Sequence, residues 1–550
     1  MTNKIQSLQS PAQNDAETRK SQYKLEFHGL TNLKQIYWNL PTSSLYEEAV
    51  FRGEGIALQD GPLVVSSGKN TTHALNDTYI VKTVENENRV WWGEHNRPFS
   101  EQSFEGVYNR IKAYLQGQDV FVQDCFAGTE ANYRLPVRVI TENAWHSLFA
   151  RNSLLQPENN DDYSEFIPEF TIIHVPYFKG IPEIDSTRSD AFVLMSFDLK
   201  LCLIGGTGYS GEIKKSVFTY MNYILSNQDV LTMHCSANKG TDDKTALFFG
   251  NSGTGKTALA VDTHRALIGD DEIAWGAEGI FNLEGGCYAK VLNLSEKNEA
   301  QVFACTKKTG TILENVICDP TSCKIDLNDN SRTDNTRASF PLHYIANAES
   351  DAKGEHPKNI IMLTCDATGV IPPIAKLTND QAMYYFLSGC SFSGMNDETD
   401  SEKEPDIVFS PCFGAPFMDR HPYQYAEMLK NKIARHGTNC WMINTGIIGG
   451  PSSSGKRMSI QLARTLSSAA INGDLDDVEY LQDPVFGFKF PKSCGDLTEK
   501  DLNPELAWND ANEYSDKRNH LAQLFIENFK KFAGKTPDEV VIAGPKKLEK

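Results

Sequence analysis

The sequence predicts an α/β protein built as two lobes, and three observations carry that reading. The first is length: 550 residues, 40% hydrophobic and 23% charged, hold more apolar material than one ordinary core accommodates. The second is alternation: between residues 45 and 230, short β-like runs (61–67, 79–81, 119–122, 192–197) trade places with helical patterns such as 104–115. The third is a glycine-rich turn, Gly250-Asn251-Ser252-Gly253-Thr254-Gly255-Lys256-Thr257, between an apolar run at 245–249 and a helix-like one at 257–261.

Residues 1–22, rich in Gln, Asn, Ser and Lys, offer little to bury and are expected to form a mobile arm without the apolar centre of a secretory signal. Residues 23–230 are read as the N-terminal lobe. Residues 231–550 are read as the C-terminal lobe, which carries the glycine-rich turn, the run Leu267-Ile268-Gly269-Asp270-Asp271-Glu272 and a strand-like stretch at 359–364. The acidic stretch 395–405 and the Gly/Ser-rich stretch 449–455 read as mobile loops, either solvated surface or the lids of an enzyme.

A net charge of −19 sets long-range repulsion against nucleic acid and anionic membranes. No apolar stretch approaches the ~20 residues that span a bilayer. The protein is therefore expected in the cytoplasm with small-molecule partners, and an anionic substrate must meet a local cluster of cations. Twelve scattered cysteines, none in a Cys-x-x-Cys pair, predict reduced thiols, several of them in the core.

The glycine-rich turn fits G-x-x-x-x-G-K-[ST] at every fixed position. Its glycines let backbone N–H groups face a polyphosphate without Cβ clashes, the N-terminus of the following helix adds positive potential, Lys256 reaches the terminal phosphates, and Thr257 offers a hydroxyl to Mg²⁺. The C-terminal lobe is thus read as a P-loop mononucleotide-binding lobe. Asp270-Asp271-Glu272 follow at about fifteen residues, a position that suits a metal ligand opposite the phosphates.

Further segments occur in a fixed order with that loop: 205–215 (Gly-Gly-Thr-Gly-Tyr-Ser-Gly-Glu-Ile-Lys-Lys), 233–238, 284–290, 335–337, 369–373, 386–389, 412–416, 444–446 and 455–457. In these the chain resembles ATP-dependent phosphoenolpyruvate carboxykinase over roughly residues 30 to 540. The resemblance implies that family's two-lobed fold, with the N-terminal lobe on the substrate side. It also implies a reaction, oxaloacetate plus ATP giving phosphoenolpyruvate, ADP and CO₂, with Mg²⁺ on the nucleotide and Mn²⁺ at the substrate. Lys215, His234 and Asp271 match the manganese ligands and Thr257 the magnesium ligand. Lys256 and Arg337, with Lys215 and Asp270, are the implied catalytic set. Tyr209, His73, Lys215 and Arg337 lie on the substrate side, while the loop residues Gly250, Ser252, Gly253, Thr254, Gly255, Lys256, Thr257 and Ala258, with Lys290, Glu299 and Arg457, would bind nucleotide. A lysine ligand must be neutral, and adjacent divalent charge is the physical means of lowering its pKa.

Departures from the family pattern gather on the substrate side. His73 stands where an arginine would clamp the substrate carboxylate, and it exchanges a permanent forked charge for a ring whose ordinary pKa is near 6.5. Ile273-Ala274 replaces His-Gly, Ile447 replaces an aromatic, and the acidic 395–405 stretch replaces the usual lid, whereas Ala258 and Ala463 on the nucleotide side replace threonines. Two other readings follow from these changes: a related phosphotransferase with a different small acceptor, and a non-catalytic nucleotide-binding paralogue.

Overall fold

In a computed structural model that describes residues 19–59, 61–158, 161–319, 321–392 and 407–547, the chain divides into two units. One comprises Met1–Met221 with Leu283–Ala346, the other Asn222–Asn282 with Asn347–Lys550.

The first unit is organised by an eight-stranded mixed sheet in the order Gln35–Trp38, Asp119–Ala127, Leu135–Thr141, Phe170–Val175, Leu201–Gly205, Phe192–Ser196, Thr78–Val81, Arg97–Phe99. Its central strands are buried along their whole length because both faces are covered, as every residue of Phe170–Val175 and Leu201–Gly205 shows. Helix Glu101–Tyr114 buries Phe104, Val107 and Ile111, a stripe at helical spacing, and starts at Ser100, whose side chain accepts the Ser103 N–H. The sequence places the lobe boundary at 230/231, but the structure returns 283–346 to the first unit. The reason is strand pairing: in a five-stranded sheet Ile312–Glu314 runs parallel to Leu63–Val65 and antiparallel to Arg337–Pro341, which in turn pairs with Gly286–Lys290.

Residues 1–18 of the expected arm lie outside the described residues, and 19–22 are tied down. The buried Ser21 donates its hydroxyl to the Phe166 carbonyl at 2.7 Å. The adjoining Tyr23 carbonyl accepts from Arg138, a fully buried guanidinium paired with Asp124 at 2.7 Å.

The second unit carries an eleven-stranded sheet. Its path runs Lys353–Gly354, Ile280–Asn282, Glu272–Trp275, Leu231–Lys239, Thr245–Phe249, Asn359–Thr364, Asn439–Asn444, Ile374–Leu377, Lys489–Pro491, Tyr480–Gln482, and Ala266–Gly269 pairs beside Leu231–Lys239. The three strands Thr245–Phe249, Asn359–Thr364 and Asn439–Asn444 are mutually parallel, so their carboxyl ends open on one edge, where α/β sheets place their ligand loops. Helix Ala511–Ala533 packs Phe525 and Phe529 against Tyr384 and Tyr385 of Asn379–Ser388. The stretch 449–455 is the turn of a short hairpin, Ile447–Ile448 paired with Lys456–Arg457, and the 395–405 loop lies outside the described residues. All twelve cysteines are free thiols, and only Cys318 and Cys323 are not buried.

Candidate active site

In the second unit the five buried residues of Thr245–Phe249 deliver the chain to the phosphate loop. Gly253 and Gly255 take φ of 83° and 99°, a region costly for any side chain, and a Cβ at Gly250 would run into the Thr254 side chain. The helix that follows, Lys256–Ala260, is only five residues long and ends at Val261 (φ −80°, ψ 88°). A dipole summed over so few peptides is small, so the cradle depends on loop N–H groups and on Lys256 rather than on the helix end the sequence suggests.

Neighbouring elements hold this loop by its carbonyls and side chains. Thr445, just past strand Asn439–Asn444, donates its hydroxyl to the Thr254 carbonyl at 2.9 Å. The Asn251 amide donates to the Gly389 carbonyl at 2.9 Å and to Ser391 Oγ at 2.8 Å. Arg457 donates to the Gly253 carbonyl at 3.1 Å, and Arg464 to the Ala258 carbonyl at 2.9 Å. Arg457 is a residue the motifs single out; Arg464 lies outside them and left no signal in the sequence.

Lys256, 7% exposed, ends against the candidate metal ligands. Its Nζ lies 2.8 Å from His234 Nε2 and 3.4 Å from Asp271 Oδ1, and His234 Nδ1 lies 3.4 Å from the same carboxylate oxygen. An ammonium can only donate, so His234 Nε2 accepts and Nδ1 carries the proton toward Asp271. A metal would take that Nε2 lone pair. One ligand atom each from His234, Asp271 and Glu272 fall within 4.8 Å of one another. Backbone register explains this, because His234 pairs directly with Glu272 across antiparallel strands. A nitrogen and two carboxylate oxygens at this spacing, with a cation already drawn to two of them, fit a divalent ion. Glu272, which the sequence marks only as a member of the acidic triplet and the resemblance gives no ligand role, belongs to this donor set. Asp270 is buried and its carbonyl accepts from Ser236 Oγ.

The first unit holds the other set. Tyr209, 1% exposed, sits in the loop between strand Leu201–Gly205 and helix Gly211–Leu225. Its hydroxyl accepts from Asn335 Nδ2 at 3.1 Å. Asn335 Oδ1 in turn accepts from Arg337 Nε at 3.0 Å, and Arg337 Nη1 donates to the Tyr288 carbonyl at 3.2 Å. His73 stands edge-on to Tyr209, ring centres 5.0 Å apart. Its Nδ1 lies 3.2 Å from Glu212 Oε2, and the Ala74 N–H donates to the other oxygen of that fully buried carboxylate. Burial lowers the His73 pKa from 6.5, against the pull of Glu212. Burial pushes the Glu212 carboxyl up, but His73, Lys215 and the Ala74 N–H outweigh it and bring it down to about 2. Desolvation is the dominant influence on the ring, so the pair is a neutral imidazole beside an ionised carboxylate at pH 7. The sequence treats His73 as a stand-in for a missing charge, and the structure commits it to a partner. Glu212 had a signal: it precedes Lys215 by three residues on one helix face.

Lys215, 4% exposed, has its pKa lowered by burial, which favours the neutral amine that a metal ligand needs; Glu212 and Cys202 oppose the shift. Lys290 lies directly across from Arg337 in the strand register, 3.6 Å from Asp334, and Glu299 occupies the N-cap position of the short helix Ala300–Cys305 with no side-chain capping bond. The structure therefore gathers Lys256, Thr257, His234, Asp271 and Arg457 in one unit, and His73, Tyr209, Lys215, Lys290, Glu299 and Arg337 in the other.

A family model described as phosphoenolpyruvate carboxykinase matches residues 34–500. The chain is 49% identical over 509 residues to the phosphoenolpyruvate carboxykinase (ATP) of Geobacter metallireducens, across 92% of this chain and 96% of that relative. It is 48% identical over 522 residues to the protein of the same name from Caldanaerobacter subterraneus subsp. tengcongensis, and 45% identical over 526 residues to that of Thermus thermophilus; each match spans 95% of this chain and 99% of the relative.

Proposed function

We propose a reaction scheme for this chain from one premise: the chain belongs to the ATP-dependent phosphoenolpyruvate carboxykinase family. Oxaloacetate loses a carboxylate as CO₂, the electron pair of the broken C–C bond passes to the carbonyl oxygen, and that enolate oxygen attacks the γ-phosphorus of ATP. The bond to the bridging oxygen breaks, and phosphoenolpyruvate and ADP leave. The family uses ATP and a divalent metal; the assignment of Mg²⁺ to the nucleotide and Mn²⁺ to the substrate is ours. When bound, the ions neutralise charge on the nucleotide and on the oxygen that gains the electron pair.

The residues present match these demands. Lys256 places a point charge on the β- and γ-phosphates, and Arg337 supplies a permanent planar cation for the phosphoryl group in transfer. Thr257 offers its hydroxyl to Mg²⁺, and His234 with Asp271 holds Mn²⁺. The ligand role that the resemblance implies for Lys215 requires a neutral amine, which its burial favours. The single observation that carries the reading is the grouping of His234, Asp271 and Glu272 donors around the Lys256 amine at the end of a complete phosphate loop. No helix among the described residues is long and apolar enough to cross a membrane. We place the reaction in the cytoplasm.

One observation favours a second reading, phosphoryl transfer to a different small acceptor. His73, which would have to hold the outer carboxylate of oxaloacetate, is engaged by Glu212. A coupled assay for phosphoenolpyruvate formation from oxaloacetate, ATP, Mg²⁺ and Mn²⁺ separates the two. Turnover supports the carboxykinase scheme, and nucleotide binding without turnover supports the other acceptor.

A further inference from the structure

We propose that His146 and His174 are positioning residues that set the backbone of Thr207 and Gly208, and through it the ring of Tyr209. Both imidazoles are fully buried and meet edge to face, centres 4.3 Å apart. Their Nε2 atoms reach consecutive carbonyls of one loop, His174 that of Thr207 at 3.0 Å and His146 that of Gly208 at 2.8 Å. A carbonyl can only accept, so both rings carry their proton on Nε2.

The opposite nitrogens are arranged to keep it there. His174 Nδ1 faces the Thr141 hydroxyl at 3.0 Å, an aligned pair in parallel register. His146 Nδ1 faces the Asn143 amide nitrogen at 3.3 Å. Asn143 occupies the N-cap of helix Ala144–Ser153 yet makes no capping bond; its amide is turned to the histidine instead. Each ring is therefore a neutral relay that accepts on one side and donates to the loop on the other. Burial, which pushes His174 down to about 4 and His146 well below its ordinary value, maintains that state.

A core histidine needs some hydrogen-bond partner, and any carbonyl would serve. Here two take adjacent carbonyls immediately before Tyr209, while the far side of the loop is gripped as well. The Ser210 N–H donates to buried Glu314 at 3.2 Å, and the Tyr209 N–H to Thr207 Oγ1 at 3.2 Å. Glycine is required at 206, where φ is +67° and a Cβ would strike the Asp190 carbonyl, and at 208, where it would lie 2.9 Å from the Ser67 carbonyl. A glycine-rich segment is costly to order, and fixed donors on its carbonyls supply that order.

The kinetic half of the test rests on the proposed substrate-side role of Tyr209; the exchange half does not. In the full chain, His146→Leu and His174→Leu are compared with His146→Gln and His174→Gln, because glutamine Nε2 can donate to the same carbonyl. Hydrogen exchange of 206–211 should rise about tenfold in the leucine variants relative to helix Ala511–Ala533 and return toward wild type with glutamine. The KM for oxaloacetate should rise about tenfold while that for ATP moves less than about twofold. If the leucine variants do not fold, Thr141→Val removes the donor facing His174 Nδ1 without changing side-chain shape and is read in the same way. Unchanged exchange at 206–211, or glutamine variants as impaired as leucine ones, overturns the proposal. Raised exchange with an unchanged oxaloacetate KM in both the leucine variants and Tyr209→Phe supports the positioning role and removes Tyr209 from the substrate side.

Discussion

In the second unit the groups proposed to handle nucleotide and metal converge, with Lys256 against His234 and Asp271 and the loop tied down by Thr445, Arg457, Arg464 and its own Asn251. In the first unit His73, which the resemblance sets where a permanent cation is expected, points at a buried carboxylate. The contrast teaches where charge is fixed and where it is conditional. Phosphates are proposed to meet Lys256 and Arg457, whereas the proposed substrate side sets Arg337 beside His73 and Lys215, whose charge burial suppresses.

The largest effect should come from breaking the nucleotide side. Lys256→Ala removes a charge from the moving phosphoryl group, and kcat should fall on the order of 10³-fold, about 4 kcal/mol. Steady-state assays with saturating ATP measure it. A fall of less than about tenfold would mean that Lys256 serves structure, as its contacts with His234 and Asp271 would then suggest.

Acid should distinguish the units next. His174, pushed down to about 4 by burial against the opposing pull of the Thr207 carbonyl and Glu212, and His28, likewise at about 4 through burial and the nearby Arg138, both lie in the first unit. Their folded pKa values lie below the unfolded 6.5, so the unfolded chain binds more protons between those values. Stability is therefore full above pH 6.5 and is lost as pH falls toward 4, by up to roughly 3 kcal/mol for each group. Denaturant melts at pH 7.5 and 5 should show this loss, and His28→Gln should reduce it.

The metal donors come third. His234→Ala should weaken Mn²⁺ binding about ten- to a hundredfold without unfolding the chain, and Glu272→Gln by less, since it retains one oxygen. Titration followed by electron paramagnetic resonance reads both. An unchanged affinity in His234→Ala removes the donor set as a metal site; an effect of Glu272→Gln as large as that of His234→Ala makes Glu272 a full ligand.

What the sequence made legible, and what it hid, follows sequence distance. The phosphate loop is eight contiguous residues, and its strand and turn lie where the pattern predicts. The α/β alternation of 45–230 is likewise local, as the strands Thr78–Val81 and Phe192–Ser196 show. The return of 283–346 to the first unit was hidden because it depends on three- to five-residue strands that pair with Leu63–Val65 far upstream, too short for periodicity to show. Which carboxylate of the acidic triplet faces His234 was hidden because antiparallel register sets it, and the clamp of His146 and His174 on Thr207 and Gly208 because it joins three distant segments. The short helix after the loop defeated the expected dipole because Val261 leaves the helical region at once.

The smallest effect, and the one that bears most directly on the contrast, belongs to His73. From sequence alone, oxaloacetate affinity should improve as pH falls toward 6, because a protonated ring would imitate the missing arginine. The structure moves and blunts that response. Burial places the His73 pKa below 6.5, so protonation comes later, and when it comes the positive ring faces Glu212, whose charge it largely cancels. The KM for oxaloacetate should therefore change by less than about threefold between pH 8 and 6.5 and improve only below that. His73→Arg gives a permanent cation with donors to spare after one is given to Glu212, so KM should fall about three- to tenfold and lose its residual pH dependence, a gain of about 0.6–1.4 kcal/mol that stays below the roughly 1.5–3 kcal/mol of a full charged hydrogen bond because the cation is shared with Glu212. His73→Gln corrects for protonation elsewhere. A steep improvement between pH 7.5 and 6.5 in wild type, absent from the glutamine control, would show that Glu212 does not hold the ring. If His73→Arg instead abolishes turnover of another acceptor, the neutral ring is the selected feature and the substrate side has been rebuilt around it.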